Sequence, residues 1–252
     1  LFQSFVRVMS SAVDERTPYN GSHTRHMAAC GDIFLDYLNQ KAGEAGQEVY
    51  FTPERREELL MSIWFHDIGK LVTPLEVMNK EARLLPRQQD AFAHRMETIR
   101  LVARIRRLEG AFTREQQEET EQAVEAALGL VEAVNRAGFV TDDRLEALNA
   151  LHGRTWEDLD GSIRPWLTGE EWSMLSIRKG TLSEEERQIM ESHVVVTDRL
   201  LSQIRFSRDL SHVRQWAADH HELLNGSGYP RQKKAEEIPC EVRIITILDI
   251  FD

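Results

Sequence analysis

Apolar residues recur at helical spacing along almost the whole chain. The pattern predicts helices over residues 2–16 and 22–39, separated by the break Thr17-Pro18-Tyr19-Asn20-Gly21, then a loop marked by Gly43 and Gly46. Thr52-Pro53-Glu54 predicts a helix start, with Thr52 as N-cap, Pro53 in the first turn and acids following, and this helix runs to about Phe65. Residues 87–109 and 113–136 read as two long polar helices and 141–151 as a shorter one. Ser183 followed by Glu184, Glu185 and Glu186 is a capping box that opens a helix to about Ile204. Another helix runs from about 210 to 224, the turn-rich loop Asn225-Gly226-Ser227-Gly228-Tyr229-Pro230 follows, and a last apolar helix starts near Pro239. No period-2 alternation lasts long enough to predict a strand. The expectation is an all-α protein.

The middle of the chain differs in character. Residues 81–178 are rich in Glu, Arg and Gln with narrow apolar stripes, and Gln116 to Glu125 is almost all polar. The plain reading is a solvated helical hairpin inserted into a core made of 1–80 and 179–252; a lid, or an arm that builds a homodimer, is the other reading. Composition narrows the function. Lys and Arg number 31 against 42 Asp and Glu, a net charge of −11, which argues against a protein that coats long nucleic acid. A small anionic substrate stays open, because a local cation cluster inverts the field at one site. The two cysteines, Cys30 and Cys240, make neither a disulfide scaffold nor a zinc ribbon. With no apolar run near the ~20 residues that span a bilayer and no signal peptide, a cytoplasmic location is expected and no membrane partner. The start at Leu1 and the stop at Asp252 inside an apolar run read as a fragment of something longer.

The histidines carry the chemistry. His193 shares helical spacing with Ile189, Met190, Thr197, Leu200 and Leu201, and His220 with Val213, Trp216, Ala217 and Leu224. His66 continues the stripe of Leu59 and Ile63, His23 begins one through Met27, Cys30 and Phe34, and Asp249 continues Val242 and Ile245. A single histidine on an apolar face is ordinarily a core residue bonded to backbone. Five helices that each turn an ionisable group inward need a shared polar centre, because a buried unpaired carboxylate is costly. Neutral imidazoles and carboxylates around one centre suit a divalent metal, and a set without sulfur favours Fe or Mn over structural zinc. The doublets His66-Asp67 and His220-His221 diverge by about 100° per residue, so each can serve two neighbouring metals or one metal and its surroundings. Two metals ~3.5–4 Å apart would polarise a phosphoryl group and hold an attacking hydroxide, with Asp67 as the natural bridge. In His66-Asp67-Ile68-Gly69-Lys70, Gly69 lets the chain turn close to the site and Lys70 is placed to neutralise a phosphate oxygen.

These segments resemble the HD-GYP phosphohydrolases of the HD superfamily. Asp14 through Arg25 looks like the N-terminal motif with its first histidine, His66-Asp67-Ile68-Gly69-Lys70 matches HDxGK, and Gly180 to His193 is similar to the third motif. His220-His221-Glu222 followed by Asn225 to Pro230 resembles the HHE–DGxGYP signature, and Arg243 to Asp252 the final Asp motif. The resemblance covers about 1–80 and 179–252 and implies an HD-superfamily helical bundle with a long helical insertion. It implies a cytosolic bacterial phosphodiesterase that opens cyclic di-GMP to linear pGpG and/or GMP, as the output domain behind an upstream sensory domain. Carried over by motif, His23, His66, Asp67, His193, His220, His221 and Asp249 would be ligands to two divalent metal ions, Asp67 and Lys70 would be catalytic, Lys70 would also meet the phosphate, and Gly228, Tyr229 and Pro230 would shape the substrate loop.

The sequence departs from the family pattern in places. A third metal in some members uses a Glu four residues before the first histidine; here Tyr19 stands there, so two metals are expected. Asn225 replaces the usual Asp of the loop, which would weaken its capping, and the insertion after Asn79-Lys80 is not typical. His26, His94, His152 and His212 read as surface or structural, and Trp156, Trp166 and Trp172 as local core. The alternatives are another HD-type nucleotide phosphohydrolase and a non-catalytic nucleotide-sensing or docking module.

Overall fold

The computed structural model describes residues 2–16, 22–48 and 50–252. The expected break at Thr17–Gly21, and with it the argument from Tyr19, lies outside the described residues. The protein is helical, with one small strand pair, and divides into two compact units: residues 1–79 with 186–252, and residues 80–185.

The first unit is arranged around α3 (Pro53–Phe65). The Thr52 hydroxyl accepts from the Arg55 amide at 3.3 Å, so the helix starts where Thr-Pro-Glu predicts. Leu59 and Ile63 of α3 pack with Met27 and Leu35 of α2 (His23–Glu44), Trp216 of α11 (Val213–Ala218), and Val242 and Ile245 of α12 (Cys240–Phe251). Met61 and Phe65 join a second cluster with Val6 and Val13 of α1 (Phe2–Asp14), Leu201 of α10 (His193–Leu201), and Val213 and Ala217 of α11. Lying between two apolar clusters, α3 is apolar on more than one face. Each fully buried Leu or Ile there contributes about 1.5–3 kcal/mol.

Several boundaries differ from the pattern, each for a local reason. The first helix stops at Asp14, whose carboxylate turns to accept from the Thr24 hydroxyl at 2.9 Å. Helix α2 continues past residue 39 to Glu44, with Gln40 and Lys41 both bonded to Glu44, and Gly46 at φ +67° ends it. The expected helix 183–204 is two, α9 (Glu184–Glu191) and α10, and the expected 210–224 shrinks to a 3-10 turn, Arg208–Leu210, and α11. Short α4 (Leu75–Met78) was not foreseen, and α12 begins directly after Pro239.

The second unit has its own core. Helices α5 (Pro86–Leu108) and α6 (Arg114–Asn135) run antiparallel, as the ion pairs Arg100–Glu125 and Arg104–Glu121 require. Phe92, Met96 and Ile99 of α5 and Val124, Val131 and Val134 of α6 enclose Leu148 and Leu151 of α7 (Asp142–His152), Trp166, Leu167, and Leu175 of α8 (Gly169–Leu175). Trp156 and Trp172 pack against the same cluster. The picture of a solvated hairpin undercounts this core, because the stripes are narrow on each helix and meet only in three dimensions. The strands β1 (Thr155–Glu157) and β2 (Ile163–Pro165) pair antiparallel across a turn with Gly161 at φ +80°. At three residues each, they are too short to register as alternation. No helix among the described residues is long and apolar enough to cross a membrane.

The end of α6 is held by Arg83, which is fully buried. Its guanidinium donates to the carbonyls of Val134 in the last turn of α6 at 2.7 Å, of Ala137 just beyond it at 2.6 Å, and of Ile177 after α8 at 3.0 Å, so it joins the end of α6 to the segment after α8. Arg83→Met is expected to lower the unfolding free energy by about 3 kcal/mol, because it strands buried carbonyls. Urea denaturation reads this directly, and an unchanged midpoint would show that the carbonyls find other partners.

Candidate metal centre

Three helices of the first unit end at a histidine. His66 caps α3, His193 lies two residues beyond the end of α9, and His220 two beyond the end of α11. In each, the ring Nδ1 is 2.7 Å from the carbonyl three residues back, that of Ile63, Met190 or Ala217. Those carbonyls belong to last turns, which lack intrahelical donors. With Nδ1–H donating, Nε2 carries the lone pair. The Nε2 atoms of His66, His193 and His220 are buried and have no hydrogen-bond partner among the described residues.

Asp67 opens the 3-10 turn Ile68–Val72 immediately after α3. Its Oδ2 is 3.3 Å from His66 Nε2 and its Oδ1 3.4 Å from His193 Nε2, and Oδ1 is also unpartnered. A side chain at Gly69 would place its Cβ 1.9 Å from the His193 carbonyl oxygen, so only glycine lets this turn lie against α10. From α2, His23 reaches Asp249 of α12 at 3.2 Å. Asp249 is also 3.7 Å from His66 and 3.8 Å from His221.

The seven candidate ligands therefore converge. Six of them form two groups, within each of which the ligand atoms lie within 4.8 Å of one another, His23 with His66 and Asp67, and His193 with His220 and His221, and Asp249 stands beside His23 and His66. One oxygen of Asp67 faces each group. Orphaned buried nitrogen lone pairs beside carboxylates, with no sulfur, fit a divalent cation.

Lys70 pairs with Asp67 through its ammonium. The Tyr229 ring centroid is 4.8 Å from that of His221 and 6.5 Å from that of His193. Gly228 has no room for a side chain: a Cβ would lie 2.3 Å from the Leu223 amide nitrogen. Pro230 follows Tyr229 through a cis peptide. Buried Glu222 accepts from the amides of Arg231 at 2.6 Å and Lys233 at 2.8 Å, which pins the far side of the loop. The Asn225 amide oxygen accepts from the Ser227 amide at 3.0 Å, so the loop keeps its cap without the usual carboxylate.

The HD domain family matches residues 169–252. A 3'3'-cGAMP-specific phosphodiesterase of Vibrio cholerae is 37% identical over 75 residues, 30% of this chain and 16% of the relative. A cyclic di-GMP phosphodiesterase of Thermotoga maritima is 40% identical over 80 residues, 30% of this chain and 20% of the relative. A cyclic di-GMP phosphodiesterase response regulator of Xanthomonas campestris is 38% identical over 78 residues, again 30% and 20%. Residues 169–252 are thus similar to an HD domain, and these relatives are cyclic dinucleotide phosphodiesterases. The chain covers a fifth or less of the length of these relatives.

Two residues of this centre escaped the sequence reading. Asp252 accepts from His23 Nδ1 at 2.8 Å, so His23 is backed by a carboxylate where His66, His193 and His220 are backed by backbone. The i+3 spacing from Asp249 on one helix was the available signal. Thr246 donates to the His220 carbonyl at 2.6 Å and carries no such signal. Of the histidines set aside earlier, His26 is exposed but lies 3.5 Å from Asp252 at the rim of the centre; His94 is exposed, His152 stacks on Trp172, and His212 stacks on Trp216 beside Glu58.

Burial holds His193 and His220 below the ordinary imidazole range, and burial with the neighbouring His193 takes His221 down to about 4. Burial opposes the charge on His66, but Asp67 and Asp249 outweigh it and push the ring up to about 10. Burial likewise opposes ionisation of Asp67, yet Lys70 and His66 keep it well below the usual carboxylate range. For the metal-free domain the sign is fixed by the three depressed imidazoles. Unfolded histidines bind protons near pH 6.5, whereas these folded ones bind theirs only at lower pH, so stability falls as the pH drops below about 6.5. The slope reaches about 1.4 kcal/mol per pH unit for each imidazole. His23, raised by its bond to Asp249, and His66 are charged in both states across most of that window and add little slope. Urea denaturation at pH 7, 6 and 5 checks this, and a flat profile would show the three rings to be protonated in the fold.

Proposed function

We propose that this domain is a metal-dependent phosphodiesterase that hydrolyses a cyclic dinucleotide, cyclic di-GMP, to linear pGpG and/or GMP. The observation that carries the reading is the pair of histidine groups with an Asp67 oxygen facing each. His23, His66, Asp67 and Asp249 would hold one divalent ion, and His193, His220 and His221, with the second oxygen of Asp67, another. The nitrogen and oxygen donors favour Fe or Mn. Such ions, when bound, supply the activated water and the charge that a phosphoryl group in transition requires.

The chain's own groups do the rest. The Lys70 ammonium sits beside Asp67, where it offers charge to a phosphate oxygen. Burial raises the pKa of Tyr229, so its hydroxyl stays protonated, able to donate to a bound anion. The steric closure at Gly228 and the Glu222 clamp hold that hydroxyl on a fixed loop, so it needs little reordering when substrate arrives. The similarity to phosphodiesterases of cyclic di-GMP and of 3'3'-cGAMP supports the substrate class. A relative that is a response regulator, and the small share of each relative covered, support a role as the output domain of a signalling protein.

The test is direct. The protein is loaded anaerobically with Mn(II) or Fe(II), given cyclic di-GMP or 3'3'-cGAMP, and the products are resolved by chromatography beside Asp67→Ala. Wild type is expected to turn over cyclic di-GMP, and Asp67→Ala to lose at least about a hundredfold in rate together with metal content, since several kcal/mol of charge stabilisation depend on the metals. Equal turnover by the variant would remove the role of Asp67, and no turnover with metal bound would overturn the phosphodiesterase reading.

A further inference from the structure

We propose that Thr197 is the positioning residue of the centre: its single hydroxyl closes the His66–Gly69 turn and thereby keeps one Asp67 oxygen facing each histidine group. Thr197 is fully buried on α10, one helical turn after His193. Its Oγ1 donates to the His66 carbonyl at 3.1 Å and accepts from the Gly69 amide at 3.0 Å. One donor and one acceptor are thus both used, and they grip the chain on either side of Asp67. The absence of a side chain at Gly69 makes this reach possible, because a Cβ there would also come within 2.8 Å of the Thr197 amide nitrogen.

The grip matters because Asp67 and His193 come from different segments. Asp67 rides on the turn after α3 and His193 on the start of α10, and their facing atoms are 3.4 Å apart. Asp67 Oδ1 has no hydrogen bond among the described residues to fix its direction. The backbone on both sides of it does, and both of those bonds end on Thr197. Among the described residues, no other hydrogen bond ties the His66–Gly69 turn to α10. Without the hydroxyl, the turn and α10 keep their apolar packing but lose the hydrogen bonds that set their register, and the His66 carbonyl and Gly69 amide are left buried without partners.

This inference rests on the reading of the centre as a metal site, and the test separates the two. Thr197→Val keeps the shape and removes the hydroxyl; Thr197→Ser keeps the hydroxyl and removes the methyl group. Mn(II) binding isotherms and thermal melts of the metal-free protein are measured for both variants and wild type. The expected result is Mn(II) binding weakened about tenfold or more in Thr197→Val, the scale seen when groups that orient ligands are removed. Thr197→Ser is expected to bind within about twofold of wild type, although loss of a buried methyl lowers its melting temperature. If Thr197→Val binds Mn(II) as wild type does, or if affinity simply follows melting temperature across the series, Thr197 is only a packing residue and the proposal fails. If Thr197→Val does not fold, the comparison of Thr197→Ser with wild type decides, since a loss of affinity there assigns the effect to packing. A wild type that binds no Mn(II) would instead overturn the metal reading, and this proposal with it.

Discussion

A hydrogen bond from an imidazole Nδ1–H to the carbonyl three residues behind it underlies the centre. It occurs at His66, His193 and His220, each time on a carbonyl in the last turn of a helix. A helix end has carbonyls to spare, and a buried imidazole needs an acceptor for one nitrogen; each satisfies the other. The bond also fixes the ring's tautomer and leaves Nε2 as a bare lone pair in the interior. Three such buried ring nitrogens without a hydrogen-bond partner and an unpartnered carboxylate oxygen are a destabilising feature that a purely structural core would not keep. The two apolar clusters on either side of α3 supply the stability that tolerates them.

That same bond explains why the helix boundaries were the least legible part of the sequence. Periodicity placed His193 and His220 on buried faces, and both are buried. It also placed Ile189 and Leu224 on those faces, and both are exposed, because a helix end where a ring takes a carbonyl separates each from its stripe, and the periodicity does not carry across it. The convergence of His23, His66, Asp67, His193, His220, His221 and Asp249 was legible as an argument about burial: ionisable groups on apolar stripes must meet. Their mutual geometry was not, since Asp67 facing both groups depends on a turn that no periodicity describes.

Other gaps have equally local causes. Asp252 was read as part of a motif and given no role, yet it backs His23 from the same helix face as Asp249. Asn225 was expected to weaken the loop, but capping requires only an acceptor oxygen, which the amide supplies. The core of the second unit was underestimated because Val124, Val131 and Val134 form a stripe too thin to signal burial until Trp166 and Leu167 close over it.

The separation of the candidate ligands in the chain gives the folding of the second unit a bearing on the centre. His23, His66 and Asp67 precede it, and His193, His220, His221 and Asp249 follow it. Its two ends are tied within its own fold, where the Thr181 hydroxyl bonds to the Lys80 carbonyl at 2.9 Å and Arg83 to the Ile177 carbonyl at 3.0 Å. Bringing together chain ends separated by a loose loop of roughly a hundred residues costs on the order of 4 kcal/mol in configurational entropy. Once the second unit has folded, that cost is already met, and the two halves of the centre are joined by what amounts to a short tether. A folded insertion of this kind separates the candidate ligands in sequence without the closure cost of a loose loop of the same length.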